Sequence, residues 1–347
     1  MSGLPQYIII VVKQLISFCS PIAITMDIQV IILSYFSLSG LLTIVFAAHN
    51  QYHVHPDDTP CLQPPCHTLE YFTNNSDKYF VSDTTIFFNI GLYYLKQNHL
   101  AIQNVTNVSL IGTPNTSDPT SPVSVIRCLP KHHIFFYNVT NLLINVLRFE
   151  ECGCSVSNAG YDYHYLAATW FQYCTNTTIS NTHIYNPVGY GIVAFNVMGN
   201  SNIVNVTVVM EKFHGISHGT YLKYRNVHRS AAKGDDIIFS IDNIVFKNDD
   251  SCNYDESTLK IDLASSAVFI SIKNFIWKGS KNIKITIKHP LSPFMIYFYK
   301  CSFVQNRVTN DLIYFWASCF LEPYGKVNVI FDEVTFLQAN AKHQEKK

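Results

Sequence analysis

From Asn181 to Val208 the chain reads NTHIYNPVGYGIVAFNVMGNSNIVNVTV. The stretch opens and closes on one motif, an asparagine followed by alternating residues. Asn181-Thr182-His183-Ile184 and Asn205-Val206-Thr207-Val208 stand 24 residues apart. Upstream the motif recurs as Asn107-Val108-Ser109-Leu110 and Asn145-Val146-Leu147. Downstream it returns as Asn243-Ile244-Val245-Phe246 and Asn274-Phe275-Ile276-Trp277, with weaker copies at Cys301-Ser302-Phe303-Val304 and Glu333-Val334-Thr335-Phe336. The intervals are 38, 36, 24, 38, 31, 27 and 32 residues. The shortest matches one turn of a β-solenoid, and the others match one turn plus a loop.

A short strand with an alternating pattern cannot bury its apolar side alone, but coils stacked about 4.8 Å apart bury a continuous column. Each corner needs a left-handed or bridge conformation, which asparagine tolerates better than other residues with a side chain. Stacked asparagines also hydrogen-bond from coil to coil. The chain is therefore expected to be all-β and to form a parallel β-helix. An antiparallel sandwich or barrel is the alternative; with no Asn-Gly or Asp-Gly dipeptide in the sequence, its hairpin turns lack their usual signal.

The 347 residues carry 24 Lys and Arg against 24 Asp and Glu, and 14% are charged. Disorder requires low hydrophobicity and high net charge, and a nucleic-acid binder a basic excess, so neither class fits. The balance hides two unlike parts. Residues 27–205 hold five basic and ten acidic side chains, and residues 206–341 hold fifteen and thirteen.

Two apolar stretches come first, Tyr7–Met26 and Ile28–Ala48. The second is long enough to be a signal anchor, and Val45 and Ala47 suit cleavage of a signal peptide before Ala48. Met26 offers an alternative start. Residues 1–48 are thus expected to be a leader, 49–83 a cap with a Cys-rich loop, 84–340 the β-helix and 341–347 a polar tail. Asn-X-Ser/Thr acceptors at Asn74, Asn104, Asn107, Asn115, Asn138, Asn176 and Asn205 point to export and glycosylation. Cys61 and Cys66 flank a Pro-rich loop and are expected to pair. Removing Cys19 with the leader leaves nine cysteines, an odd number. No CxxC pair exists, so no zinc site is expected.

The stretch Gly189–Ser201 with Asn202-Ile203-Val204-Asn205-Val206-Thr207 resembles invertebrate, sponge-like right-handed β-helix proteins, which are similar in fold to the pectin lyase-like superfamily. Pro65-Cys66-His67-Thr68-Leu69, Asn138-Val139-Thr140-Asn141-Leu142 and Glu151-Cys152-Gly153 fit the same family. The resemblance implies a right-handed helix over about residues 60–340 and says little of function.

Polysaccharide hydrolases of this fold use paired acids on adjacent coils. Asp235-Asp236 is such a pair, but His183 stands where the first acid of an Asn-Thr-Asp motif belongs, and no Arg-Ile-Lys follows. These two aspartates are weak catalytic candidates and fit a loop entering the next strand. Asp249, Asp250, Asp255 and Glu256 lack the spacing of a calcium loop, and His164, His214 and His218 lack a ligand pattern. Tyr161, Tyr163, His164, Tyr165, Trp170 and Phe171 suit either a sugar-binding surface or packing, with packing favoured. Lys284 and Lys288 alternate with Ile283, Ile285 and Ile287; this face suits anionic glycans or lipid head groups, or else solvated lysines that discourage edge pairing. No cofactor and no metal is expected. The reading is a secreted or surface-displayed, non-catalytic scaffold for recognition or adhesion, with glycans or proteins as ligands, no nucleic-acid partner and membrane contact only through an N-terminal anchor. The alternative is a polysaccharide lyase or hydrolase acting on acidic polysaccharide.

Overall fold

The computed structural model describes 31–34, 43–46 and the chain from 49 onward, apart from 63–64, 97–98, 130–131, 154–166, 189, 211–221, 227–236, 249–258, 264–267, 280–282, 289–293, 306–312, 319–326 and 339–347. The chain divides into two compact units, 1–48 and 49–347. In the first, Ile31–Ser34 pairs antiparallel with Thr43–Phe46. No helix among the described residues is long and apolar enough to cross a membrane.

The second unit is all-β with large parallel sheets, consistent with a parallel β-helix. Three ladders of short strands run along it. Face 1 climbs from Asn50–Val54 through Thr84–Phe88, Thr106–Ile111 and Thr140–Asn145 to Val327–Asp332. Face 2 holds Gly91–Leu95, Ser124–Cys128 and Arg148–Glu150, and ends on Ser302–Gln305 and Thr335–Gln338. Thr175–Tyr185, Asn200–Met210 and Ile237–Asn248 are long enough to serve faces 1 and 2 together. Face 3 is a separate eight-stranded sheet from Leu100–Gln103 to Ile313–Ser318.

Alternation puts one set of side chains inside. Leu110, Ile144, Ile179, Ile203, Ile241, Ile272 and Phe298 stack in register up face 1, all buried. On face 3, Phe136 lies flat on Phe171, with centroids 5.0 Å apart. At the lower end, helices α1 (Leu69–Asn74) and α2 (Ser76–Tyr79) bury Leu69, Phe72 and Tyr79 against the first coil. Thr68 caps α1 by accepting a hydrogen bond from the Tyr71 amide.

Left-handed residues mark the corners. Between faces 3 and 1, four described corners turn on a four-residue unit with positive φ at both ends: Asn104 and Asn107, Asn138 and Asn141, Tyr173 and Asn176, Asn196 and Gly199. Between faces 1 and 2 the left-handed column is Val146, Asn181, Asn205, Asn243, Asn274, Lys300 and Glu333. The expected asparagine ladder is present: Asn243 donates to Asn205 at 2.7 Å and Asn205 to Asn181 at 3.0 Å. At the far end Lys300 faces Glu333 at 3.8 Å.

Two separate left-handed columns, on different edges, correct the phase of the repeat. Asn107 stacks on Asn141, 34 residues on, rather than on Asn145. Asn145 pairs with Ser180 and ends its strand one residue before the corner. Lys300, not Cys301, holds the corner above Asn274; Cys301 lies inside, beside Phe275 in register.

Candidate functional site

The outward side of face 3 carries aromatic columns, some covered and some partly exposed. Phe135, Trp170 and Val193 share one register column, and Tyr137, Gln172 and Phe195 share the next. Their strand neighbours Ile134, Phe136, Phe171 and Ile192 belong to the main core, so the pleat turns these columns away from it. Trp170 and Val193 form a second apolar cluster with Ala167 and Tyr190, packed by half-buried Phe135 and Phe195. Rings continue along the face, with Phe135 6.1 Å from Tyr137, Tyr137 5.7 Å from Tyr173 and Tyr173 6.2 Å from Phe195.

Tyr173 is the telling member. It occupies the left-handed corner filled by Asn104, Asn138 and Asn196 in the neighbouring coils, at φ 55. A tyrosine there forgoes the tolerance that asparagine has for this region, at a cost of order 1–3 kcal/mol. In exchange its half-buried ring joins the edges of Tyr137 and Phe195, both near-perpendicular to it. The result is a laterally placed, partly exposed aromatic strip.

Face 2 carries a charged cluster. Glu150, 8% exposed in its side chain, accepts from both Arg127 and Arg148. The hydrogen bond to Glu150 holds the Arg127 guanidinium above its ordinary pKa. Arg148 also lies over the Tyr185 ring at 4.8 Å. These charges pair across two strands, with the Tyr185 ring on a third, and stabilise the stack.

Of the aromatic residues singled out from sequence, Trp170 and Phe171 fall on opposite sides of one strand. Phe171 packs in the core; Trp170 is 6% exposed in the outer cluster. Tyr161, Tyr163, His164, Tyr165, His214 and His218 lie outside the described residues, as do Asp235, Asp236, Asp249, Asp250, Asp255 and Glu256. Tyr137 and Phe195 escaped sequence reasoning because their outward register shows only once the coils are aligned.

Lys284 and Lys288 belong to Ile283–Lys288, which pairs with Leu259–Leu263 on one side and Ile313–Ser318 on the other. This is an interior strand, so protection of an exposed edge does not explain its lysines.

The sequons fall in two settings. Asn104, Asn107, Asn138, Asn176 and Asn205 are left-handed corner residues, and four of them donate Nδ2 across the stack: Asn107 to Asp83, Asn138 to Asn104, Asn176 to Asn141 and Asn205 to Asn181. Asn74 ends α1 on an exposed surface. Asn115 lies between two strands, where its Oδ1 accepts from the Ser117 amide and hydroxyl. Cys61 and Cys66 are disulfide-bonded as expected, and a second bridge joins Cys128 to Cys152. Cys174 and Cys301 are free and buried. Cys154, Cys252 and Cys319 lie outside the described residues. Two bridges are compatible with an extracellular protein.

Comparison with known proteins finds no matching family model, no similar curated protein and no similar solved structure.

Proposed function

We propose that the chain is a non-catalytic scaffold for extracellular recognition, a right-handed parallel β-helix of the pectin lyase-like kind that binds glycans along face 3. The observation carrying this reading is the aromatic strip Phe135–Tyr137–Tyr173–Phe195, above all the tyrosine kept at a left-handed corner where neighbouring coils use asparagine. Aromatic faces pack on the apolar faces of sugar rings while the tyrosine hydroxyl meets their polar edges. The right hand follows the near-universal rule for crossovers between parallel strands. Secretion fits the two disulfides and the apolar leader, and Asn74 and Asn115 are the glycosylation acceptors outside the corner columns.

The test is a substitution that returns the corner to its sister residue. Tyr173→Asn restores the residue of the adjacent coils, so the fold is kept while the ring is lost. Binding of the purified chain to immobilised neutral and acidic polysaccharides is expected to weaken at least fivefold, with an unchanged or raised melting temperature. Unchanged binding would overturn the assignment of the strip. Release of new reducing or unsaturated ends from any of the polymers would overturn the non-catalytic reading.

A further inference from the structure

Seven asparagines stand in the acceptor pattern Asn-X-Ser/Thr, and all seven lie among the described residues. The fold uses their side-chain amides in two ways. Asn107, Asn138, Asn176 and Asn205 each donate Nδ2 to the coil below, to Asp83 at 2.7 Å, Asn104 at 2.9 Å, Asn141 at 3.1 Å and Asn181 at 3.0 Å. Each also has a neighbour on the coil above. Asn141 donates to Asn107 and Asn243 to Asn205, both at 2.7 Å. The Asn200 amide donates to Asn176 Oδ1 at 3.0 Å, and Tyr173 fills the left-handed corner over Asn138.

Asn104 differs from its neighbour Asn138 in one respect. The two share a left-handed conformation, at φ 55 and φ 52, and both are exposed. Asn104 stands at the foot of the ladder: its Oδ1 accepts from Asn138, and no acceptor among the described residues meets its Nδ2. Asn115 is alike, with its Oδ1 accepting from Ser117 and no described acceptor at its Nδ2. Asn74 lies exposed at the end of α1.

Glycosylation is a substitution at this nitrogen. An oligosaccharide carried on a lipid diphosphate bonds to Nδ2 through its anomeric carbon; the bond from that carbon to the diphosphate breaks, and Nδ2 loses one proton. If the ladder proton is the one lost, the new carbon falls inside the 2.7–3.1 Å gap between Nδ2 and its acceptor. If the other proton is lost, a bulky sugar must emerge between coils about 4.8 Å below and above it. Transfer acts on the nascent chain, so the ladder selects as the coils stack: a chain modified at a ladder amide does not close that corner.

We infer that the folded protein carries N-linked oligosaccharides at Asn74, Asn104 and Asn115, and that the ladder amides of Asn107, Asn138, Asn176 and Asn205 stay unmodified. Tyr137 directly precedes Asn138, so an unmodified Asn138 leaves the aromatic strip uncovered at that corner. The assignment rests on the secretory part of the proposed function and not on what face 3 binds.

The test expresses the full chain in a glycosylating eukaryotic host and isolates the folded, exported fraction. Enzymatic removal of the glycans in heavy-oxygen water turns each occupied asparagine into a labelled aspartate, and peptide mapping reads occupancy site by site. Occupancy of the four ladder asparagines is expected to be about tenfold below that of Asn74, Asn104 and Asn115. Asn104 and Asn138 are the deciding pair, because backbone conformation and exposure match at both. Thr106→Ala and Thr140→Ala remove these two acceptor patterns and leave both asparagines in place; the first is expected to lose one glycan by electrophoretic mobility and the second none. Equal occupancy of Asn104 and Asn138 in the folded fraction would overturn the assignment, whether both are filled or both empty, as would a glycan lost in Thr140→Ala. If the chain's own leader exports nothing, the secretory reading fails, and the same mapping of the full chain behind a foreign signal peptide decides between the two classes of asparagine by the same criteria.

Discussion

Asn141 donates its Nδ2 to Oδ1 of Asn107 at 2.7 Å, and both residues sit at φ 57. Two separable effects meet at this corner: tolerance of the left-handed region and a hydrogen bond along the stack. Glycine keeps the first and loses the second; alanine loses both. Asn141→Ala is therefore expected to cost about 2–3 kcal/mol and Asn141→Gly about 1–2 kcal/mol. Urea unfolding of the two variants checks the ranking. Equal losses would mean that the side-chain bond contributes all of the effect.

Gly199 closes the same column one coil above Asn176, at φ 64. A Cβ there would stand 2.3 Å from Asn176 Oδ1. That oxygen also accepts from the Asn200 amide at 3.0 Å, so it cannot move aside without giving up a bond. Gly199→Ala is expected to destabilise by about 2–3 kcal/mol, combining left-handed strain with the displaced acceptor. Thermal unfolding monitored by circular dichroism measures it.

The corner asparagines show how far sequence could reach. Asn181, Asn205, Asn243 and Asn274 stand out because each is followed by an inward residue, and they do share one left-handed column. Asn107 and Asn145 look the same locally, but Asn107 lies in the left-handed corner between faces 3 and 1 while Asn145 ends a strand one residue before the corner between faces 1 and 2. Local pattern cannot separate two corners of identical chemistry; only strand register does. The same limit hid the candidate site. Tyr173 is one of many tyrosines until it is seen to occupy an asparagine position.

Cys174 takes the inward place in a corner where neighbouring coils put Val139 and Val197. Burial pushes its thiol up to about 11. An unfolded thiol ionises near 8.5, so the unfolded state loses its proton first. This contribution to stability is intact below about pH 8.5 and is lost as the pH rises toward the folded value. Cys174→Val is expected to remove that alkaline component while fitting the column, which pH-dependent unfolding would reveal. Peptide mapping after alkylation at pH 8 should find Cys174 unmodified in the native protein and modified after denaturation.

The bridges differ in what they close. Cys128–Cys152 spans 24 residues and ties the end of one face 2 strand to the segment after the next, whereas Cys61–Cys66 closes a separation of 5 within the cap. On loop-closure entropy the first contributes about 3.5 kcal/mol and the second about 2 kcal/mol. Cys128→Ala/Cys152→Ala should therefore lower the denaturation midpoint more than Cys61→Ala/Cys66→Ala. The reverse order would place more of the stability in the cap than in the face 2 link.

Glu150 holds two guanidiniums, Arg127 and Arg148, on adjacent positions of face 2. Both arginine side chains are more than a third exposed, at 39% and 34%, so solvent screens their mutual repulsion and a fully buried value would overstate the effect. Glu150 itself is nearly covered, and neutralising it leaves the two cations without the negative charge between them. Glu150→Gln is expected to destabilise by about 1–2 kcal/mol, with part of the loss recovered in 1 M salt. Removing Arg127 as well, in Glu150→Gln/Arg127→Gln, should cost less than the sum of the single changes, because the second substitution removes the repulsion created by the first. Strict additivity in that double-mutant cycle would show that the three charges act independently, and that their proximity contributes nothing to the stack.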